Sequence, residues 1–312
     1  MQDFILIISG LFFWILGAYW LLKGATALSL KFNIPKIILG ITVVSLATSV
    51  PELLISVKAV MNGMPNVALG GSIVSNMTNL GLVLALVLML SGIVINKDFY
   101  IANWSVMMLA SILFFGFIYF DGEIQRYEGF FMLVALFLFL VYLLWFQRNP
   151  VVVATGGDDR PFPLYKAVLF LALGGLAVWG GSEILIKRVM EYVILYGTGN
   201  RITTSIILSL IVSIPELALA LIAVVKKQKA IAFGNLLGAN MFNLLGVLGV
   251  TAMMHPIKVM DQGLLTNDIL WMIGISFILL PLMFFSKRSQ LNWKGGLMLL
   301  AIYLVFICFV LI

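Results

Sequence analysis

The chain has one cysteine, Cys308, and one histidine, His255, among its 312 residues. A disulfide framework, a cysteine-held metal and a two-histidine metal motif are therefore excluded. Peptide hydrolysis inside a membrane needs a serine–histidine pair, two aspartates or a histidine-rich zinc site. None is present, and His255 stands near the end of an apolar run. Charge is scarce as well: 10 % of residues are charged and 62 % hydrophobic, with a mean hydropathy of +1.14. That balance excludes a soluble globular domain.

What the chain has instead is apolar runs of about 20 residues, enough to cross the hydrocarbon of a bilayer. Ten are expected, at 4–29, 35–61, 66–93, 100–120, 127–147, 164–187, 200–225, 229–254, 266–286 and 293–312. The fold class is thus an all-α polytopic membrane protein with short links. The first run lacks a basic start and a clean small-residue cleavage site, and is expected to be a true helix rather than a signal peptide. Twelve lysines and arginines fall in one set of alternate loops, among them Lys36, Lys97, Arg148, Arg160 and Lys227; six fall in the other, among them Lys58, Arg126 and Lys258. By the positive-inside rule the richer set is cytoplasmic and both termini lie outside. The net charge of +6 is then a topological signal and calls for no nucleic-acid partner.

Two glutamates interrupt the apolar runs in the same setting, Ser49-Val-Pro-Glu52 and Ser213-Ile-Pro-Glu216, 164 residues apart. At that offset Asn76 and Asn79 fall on Asn240 and Asn243, and Ser45–Ala85 shares sixteen of forty-one positions with Ser209–Gly249. The chain is duplicated. Five spans separate the two glutamates, an odd number of crossings, so the halves are expected as inverted five-helix repeats. Residues 1–147 form the first repeat, 148–163 a cytoplasmic linker and 164–312 the second repeat.

An ionisable group in hydrocarbon costs roughly 2.5–3.5 kcal/mol on insertion scales, and this chain carries that cost twice. Pro51 and Pro215 remove a backbone donor and are expected to break helices 2 and 7, freeing carbonyls near 47–48 and 211–212. Ser45, Ser49 and Glu52 are spaced i, i+4, i+7 on one helical face, and Ser209, Ser213 and Glu216 repeat the pattern. Thr48 adds a hydroxyl to the first copy only. Ser75 and Asn79 are spaced i, i+4 on the third span, with Asn243 in the matching place on the eighth. Ser72, Asn76 and Asn240 fit either this set or interhelical hydrogen bonding. Gly70, Gly71, Gly234 and Gly238 would let neighbouring helices come close. Glu183 and Lys187, i and i+4, are expected to form an ion pair near an interface. The oxygens so assembled are hard ligands, suited to Ca²⁺ or singly to Na⁺ and less to Mg²⁺, while soft metals lack their preferred Cys and His.

These residues carry a resemblance. Gly40-Ile-Thr-Val-Val-Ser-Leu-Ala-Thr48-Ser49-Val-Pro-Glu52 resembles the first signature of the calcium/cation antiporters, which include the sodium/calcium exchangers, commonly written G-x-T-x-x-A-x-G-T-S-x-P-E. Gly70-Gly-Ser-Ile-Val-Ser-Asn76-Met-Thr-Asn79 is similar to its partner G-N-x-x-G-S-N-x-x-N, and Gly234-Asn-Leu-Leu-Gly-Ala-Asn240-Met-Phe-Asn243 is more similar still. The prokaryotic type is the nearer one. The resemblance implies antiport of Ca²⁺ against Na⁺, or against H⁺ as the alternative, by a protein of the inner membrane that is not an enzyme and holds no cofactor. It makes Glu52 and Glu216 the central ligands, with Thr48, Ser49, Ser213, Asn79 and Asn243 around them. Ala47 and Ile211 replace the signature glycine, Val212 a threonine and Ala239 a serine; Ser209 stands where alanine is common. These departures concern the Na⁺ sites more than the two-glutamate site. A two-carboxylate site is costly to expose empty, through desolvation and like-charge repulsion, which favours strict exchange by alternating access over a passive cation channel.

Overall fold

The structure, a computed structural model, describes residues 2–146, 162–196, 210–211, 213–261, 263–284 and 290–311. It is mainly helical. In chain order the helices are α1 (Gln2–Phe32), α2 (Lys36–Thr48), α3 (Val50–Met61), α4 (Pro65–Leu90), α5 (Lys97–Asp121), α6 (Arg126–Phe146), α7 (Leu164–Tyr196), α8 (Ile214–Val225), α9 (Lys229–Met254), α10 (Ile269–Phe284, preceded by the π-helical Leu264–Asp268) and α11 (Trp293–Leu311). Among the described residues six helices are long and apolar enough to cross a membrane, and α2 with α3 forms a seventh, bent span. The chain is an integral membrane protein.

The all-α expectation needs one small correction. Four two-residue strands fasten the loops: β1 (Ile93–Val94) pairs antiparallel with β4 (Gln290–Leu291), and β2 (Glu123–Ile124) with β3 (Ile257–Lys258). Loop backbone next to hydrocarbon cannot turn to water for its hydrogen bonds, so a short pairing satisfies it. Glu123 and Lys258 add a 4.0 Å ion pair across the second pairing.

Helices α4 and α9 form the centre, with 78 % and 89 % of their apolar windows buried, whereas α1, α6 and α7 bury about a third or less and face lipid. Between lipid-soluble helices the hydrophobic effect contributes little, and close packing of small residues replaces it. The long contact between α1 and α7 is built this way. Gly10, Gly17 and Gly24 recur every seven residues on α1, opposite Gly181, Gly174 and Ala167 on α7. A Cβ on Gly17 would lie 2.8 Å from the Gly174 carbonyl oxygen, and one on Gly181 2.8 Å from that of Gly10. The two backbones touch. A buried bond from Trp14 Nε1 to Ser182 Oγ, 2.8 Å, fixes their register.

The expected pair Glu183–Lys187 is replaced by one between helices. Glu183 on α7 accepts from Lys58 on α3 at 3.2 Å, with both side chains more than half exposed. The α3–α7 contact brings the two together, which spacing along one helix could not foretell.

Candidate functional site

The site is built on the broken span. Pro51 has no N–H to offer the Ala47 carbonyl, so the helical ladder fails there. The helix restarts at Val50 with Pro51 in its first turn, where a missing donor is harmless. Ser49 between the halves has φ −85° and ψ −1°, and the two axes meet at 42°. Ser213, before α8, has φ −81° and ψ −1°, and Pro215 sits in the first turn of α8. The start of α8 thus has the same local geometry as that of α3; before it, 197–209 and 212 lie outside the described residues. Glu52 and Glu216 fall in the first turns of α3 and α8, where the helix dipole favours negative charge.

Both glutamates are buried, Glu52 6 % and Glu216 0 % exposed. Their carboxyl groups face each other within interaction range, each lies near its own backbone N–H, and the Thr48 hydroxyl approaches Glu216. These approaches are electrostatic neighbours rather than well-formed hydrogen bonds, because none of the four carboxylate oxygens meets hydrogen-bond geometry with any partner. Among the described residues no lysine or arginine pairs with either glutamate, and no group of three His, Cys, Asp or Glu is gathered here. Two carboxyl groups thus share the centre with no paired lysine or arginine among the described residues.

Facing them, α4 and α9 exchange hydrogen bonds with near two-fold regularity. Asn76 Nδ2 donates to the Asn240 carbonyl at 3.1 Å, and Asn240 Nδ2 donates to the Asn76 carbonyl at 3.3 Å. Asn79 Nδ2 donates to Asn240 Oδ1 at 3.2 Å, and Asn243 Nδ2 to Asn76 Oδ1 at 3.1 Å. Asn76 and Asn240 therefore spend their side chains on each other's helix. Asn79 and Asn243 differ: each donates inward and leaves its own Oδ1 buried without a partner. Ser75 Oγ lies 3.2 Å from Ser213 Oγ and accepts from Asn243 Nδ2 at 3.2 Å, joining α4 to the start of α8. Ser49 Oγ is buried and unpartnered. The Ser45 hydroxyl donates back to the Ile41 carbonyl of its own helix. Ser209 and Val212 lie outside the described residues.

Close approach of α2 and α9 closes the centre. Gly234 and Gly238 let α2 backbone in, since a Cβ on either would strike the carbonyls of Ile37 and Ile41, and Gly40 abuts Gly234 in return. The segment that the repeat would set against Gly70 and Gly71 includes 201–209, outside the described residues. Two π-helical turns, Asn79–Leu84 and Phe242–Val247, begin at or next to the two asparagines with free oxygens. Such turns often mark functional positions; nothing in the residue spacing announced them. Sequence reasoning also passed over Asn235, buried on α9, whose Oδ1 accepts from Thr48 at 3.2 Å. The signal was available: it is a polar residue in an apolar stretch and part of the second signature. Ser72, also buried, has no partner for its hydroxyl.

Fold and site together define a polytopic helical membrane protein with a buried, oxygen-lined centre crossed by a broken helix. A family profile described as sodium/calcium exchanger protein matches residues 3–145 and 166–312. The chain belongs to that family. It is 29 % identical to the inner membrane protein YrbG of Escherichia coli (strain K12) over 315 residues, covering 97 % of this chain and 94 % of the relative. It is 24 % identical to the sodium/calcium exchanger MaX1 of Methanosarcina acetivorans over 347 residues, covering 98 % and 97 %. The fold is similar to that of the sodium-calcium exchanger NCX_Mj soaked with 2.5 mM Na⁺ and 10 mM Sr²⁺, with a TM-score of 0.81, 21 % identity and 98 % of both chains covered.

Proposed function

We propose that this protein is a secondary active antiporter that exchanges Ca²⁺ for Na⁺ by alternating access at a site between Glu52 and Glu216. One observation carries the reading: seven buried side-chain oxygens, from Ser49, Glu52, Glu216, Asn79 and Asn243, lie without hydrogen-bond partners. Buried polar atoms are normally paired, and a set composed of carboxylate, hydroxyl and amide oxygens fits a hard cation. Thr48, Ser75, Ser213, Ser45 and Ser209 supply further oxygens in this reading. Family membership supports transport of cations, as do the relatives whose names include sodium/calcium exchange.

The architecture proposed for this task is ten spans in two inverted repeats, 1–147 and 164–312, joined by a cytoplasmic linker. Support comes from the reciprocal bonds of Asn76 and Asn240, from the matching backbone geometry of Ser49 and Ser213 at the starts of α3 and α8 and from β1 and β3, which lie 164 residues apart. Both termini lie outside in this arrangement, in a prokaryotic inner membrane.

Purified protein in proteoliposomes tests the function. An outward Na⁺ gradient is expected to drive Ca²⁺ uptake, and flux should vanish when the far side offers no exchangeable ion. Uptake without a counter-ion would instead describe a channel. Exchange of Ca²⁺ for H⁺ is the second reading, and the absent hydroxyl at Val212 favours it; uptake driven by a pH gradient alone would establish it and exclude Na⁺ coupling.

A further inference from the structure

Among the unpartnered buried atoms at this centre one is a nitrogen, Asn235 Nδ2. The others are oxygens, which a cation satisfies and an N–H donor does not. An unmet buried donor is costly, so Asn235 is not explained by its own hydrogen bonding. Its Oδ1 takes the Thr48 hydroxyl hydrogen at 3.2 Å, in competition with the Ser45 carbonyl one turn back, also at 3.2 Å. The duplication supplies an internal comparison. The counterpart of Thr48 is Val212 and the counterpart of Asn235 is Gly71. Hydroxyl and amide are present together in one pairing and absent together in the other. A residue kept only to fill the space between α2 and α9 has no reason to follow the hydroxyl in this way.

We propose that Asn235 is a positioning residue for the monovalent counter-ion. By accepting the Thr48 hydrogen it leaves the lone pairs of that hydroxyl free for a cation that Glu216 balances. The inference rests on the antiport reading above. A divalent cation balanced by two carboxylates belongs between them, on the axis that relates the repeats. A pair found in one half only, as Thr48 and Asn235 are, does not belong to a position that both halves share, and one carboxylate with neutral oxygens balances a single positive charge. Thr48 and Asn235 therefore serve a hard monovalent ion, and their sequence counterparts, Val212 and Gly71, carry neither hydroxyl nor amide side chain.

The test compares two modes of one protein in proteoliposomes: Na⁺-driven Ca²⁺ movement, and Ca²⁺ self-exchange in the absence of Na⁺. Asn235→Ala is expected to raise the half-saturating Na⁺ concentration about tenfold, the upper value of one net hydrogen bond, with self-exchange changed less than about twofold. Thr48→Val should raise the half-saturating Na⁺ concentration by a similar factor, and adding Asn235→Ala to it should raise it no further. In a Thr48→Ser background, which keeps the hydroxyl, the Asn235→Ala effect should return in full. An undiminished effect in the Thr48→Val background overturns the proposal, as does equal loss in both modes by Asn235→Ala. If Asn235→Ala does not fold, Asn235→Gly, the residue found at its counterpart, is put through the same cycle. Wild-type protein with no Na⁺-driven flux overturns the antiport reading and this inference together; normal wild-type flux with additive variants overturns this inference alone.

Discussion

At the scale of single residues, the asparagines of α4 and α9 divide into two kinds, and the division can be measured. Asn76 and Asn240 use their side chains to hold the two helices, so Asn76→Ala or Asn240→Ala should lower stability by about 1–3 kcal/mol, the cost of stranding a buried partner, seen as a lower Tm. Asn79 and Asn243 each show a free oxygen. Asn79→Ala or Asn243→Ala should weaken ion affinity at least about tenfold, as expected for the loss of roughly 1.4 kcal/mol of binding, measured by calcium-dependent flux. Glu52→Gln and Glu216→Gln should each abolish Ca²⁺ transport in protein that still inserts and purifies as a single species. Wild-type flux from either would remove the two-glutamate assignment. The glutamates were legible from sequence because a carboxyl group in an apolar run is costly and here occurs twice. The division among the asparagines was not, since it depends on which amide meets which carbonyl across two helices. Asn235 was visible as a polar residue in an apolar stretch, but its meaning lies in a contact with Thr48, 187 residues away.

At the scale of elements, the break in the second span follows from Pro51 alone, and the sequence placed it within two residues. Pro51→Ala would return an N–H to the Ala47 carbonyl; the 42° bend should relax and transport should fall, with the protein still inserted. The seam of α1 and α7 was hidden, although its glycines recur every seven residues. Glycine in membrane helices has many uses, and only the partner backbone 2.8 Å from a notional Cβ shows which one applies. Gly17→Leu should therefore drive α1 from α7 and lower the yield of monodisperse protein, while Gly116→Leu, on open ground in α5, should be tolerated. Size-exclusion profiles of the two variants give the comparison. The Lys58–Glu183 pair joins α3 to α7 near the same region, but both side chains are largely exposed, and such pairs contribute little. Its removal should leave stability nearly unchanged.

At the scale of the whole molecule, the long apolar helices were readable from hydropathy, and the distribution of lysine and arginine gives the proposed sidedness. Protease or a cysteine label directed at 148–163 should reach the linker only from the cytoplasmic side. The reciprocal bonds between Asn76 and Asn240 have a consequence for assembly. Each repeat holds half of a set of donors and acceptors that only the other repeat can complete, and a membrane interior provides no water to substitute. Neither half is a finished product alone; the centre that would hold ions is also the clasp that makes one molecule of two modules. Cut at the linker and co-expressed, residues 1–147 and 164–312 should find each other and purify together, and either half expressed without its complement should be degraded or aggregate.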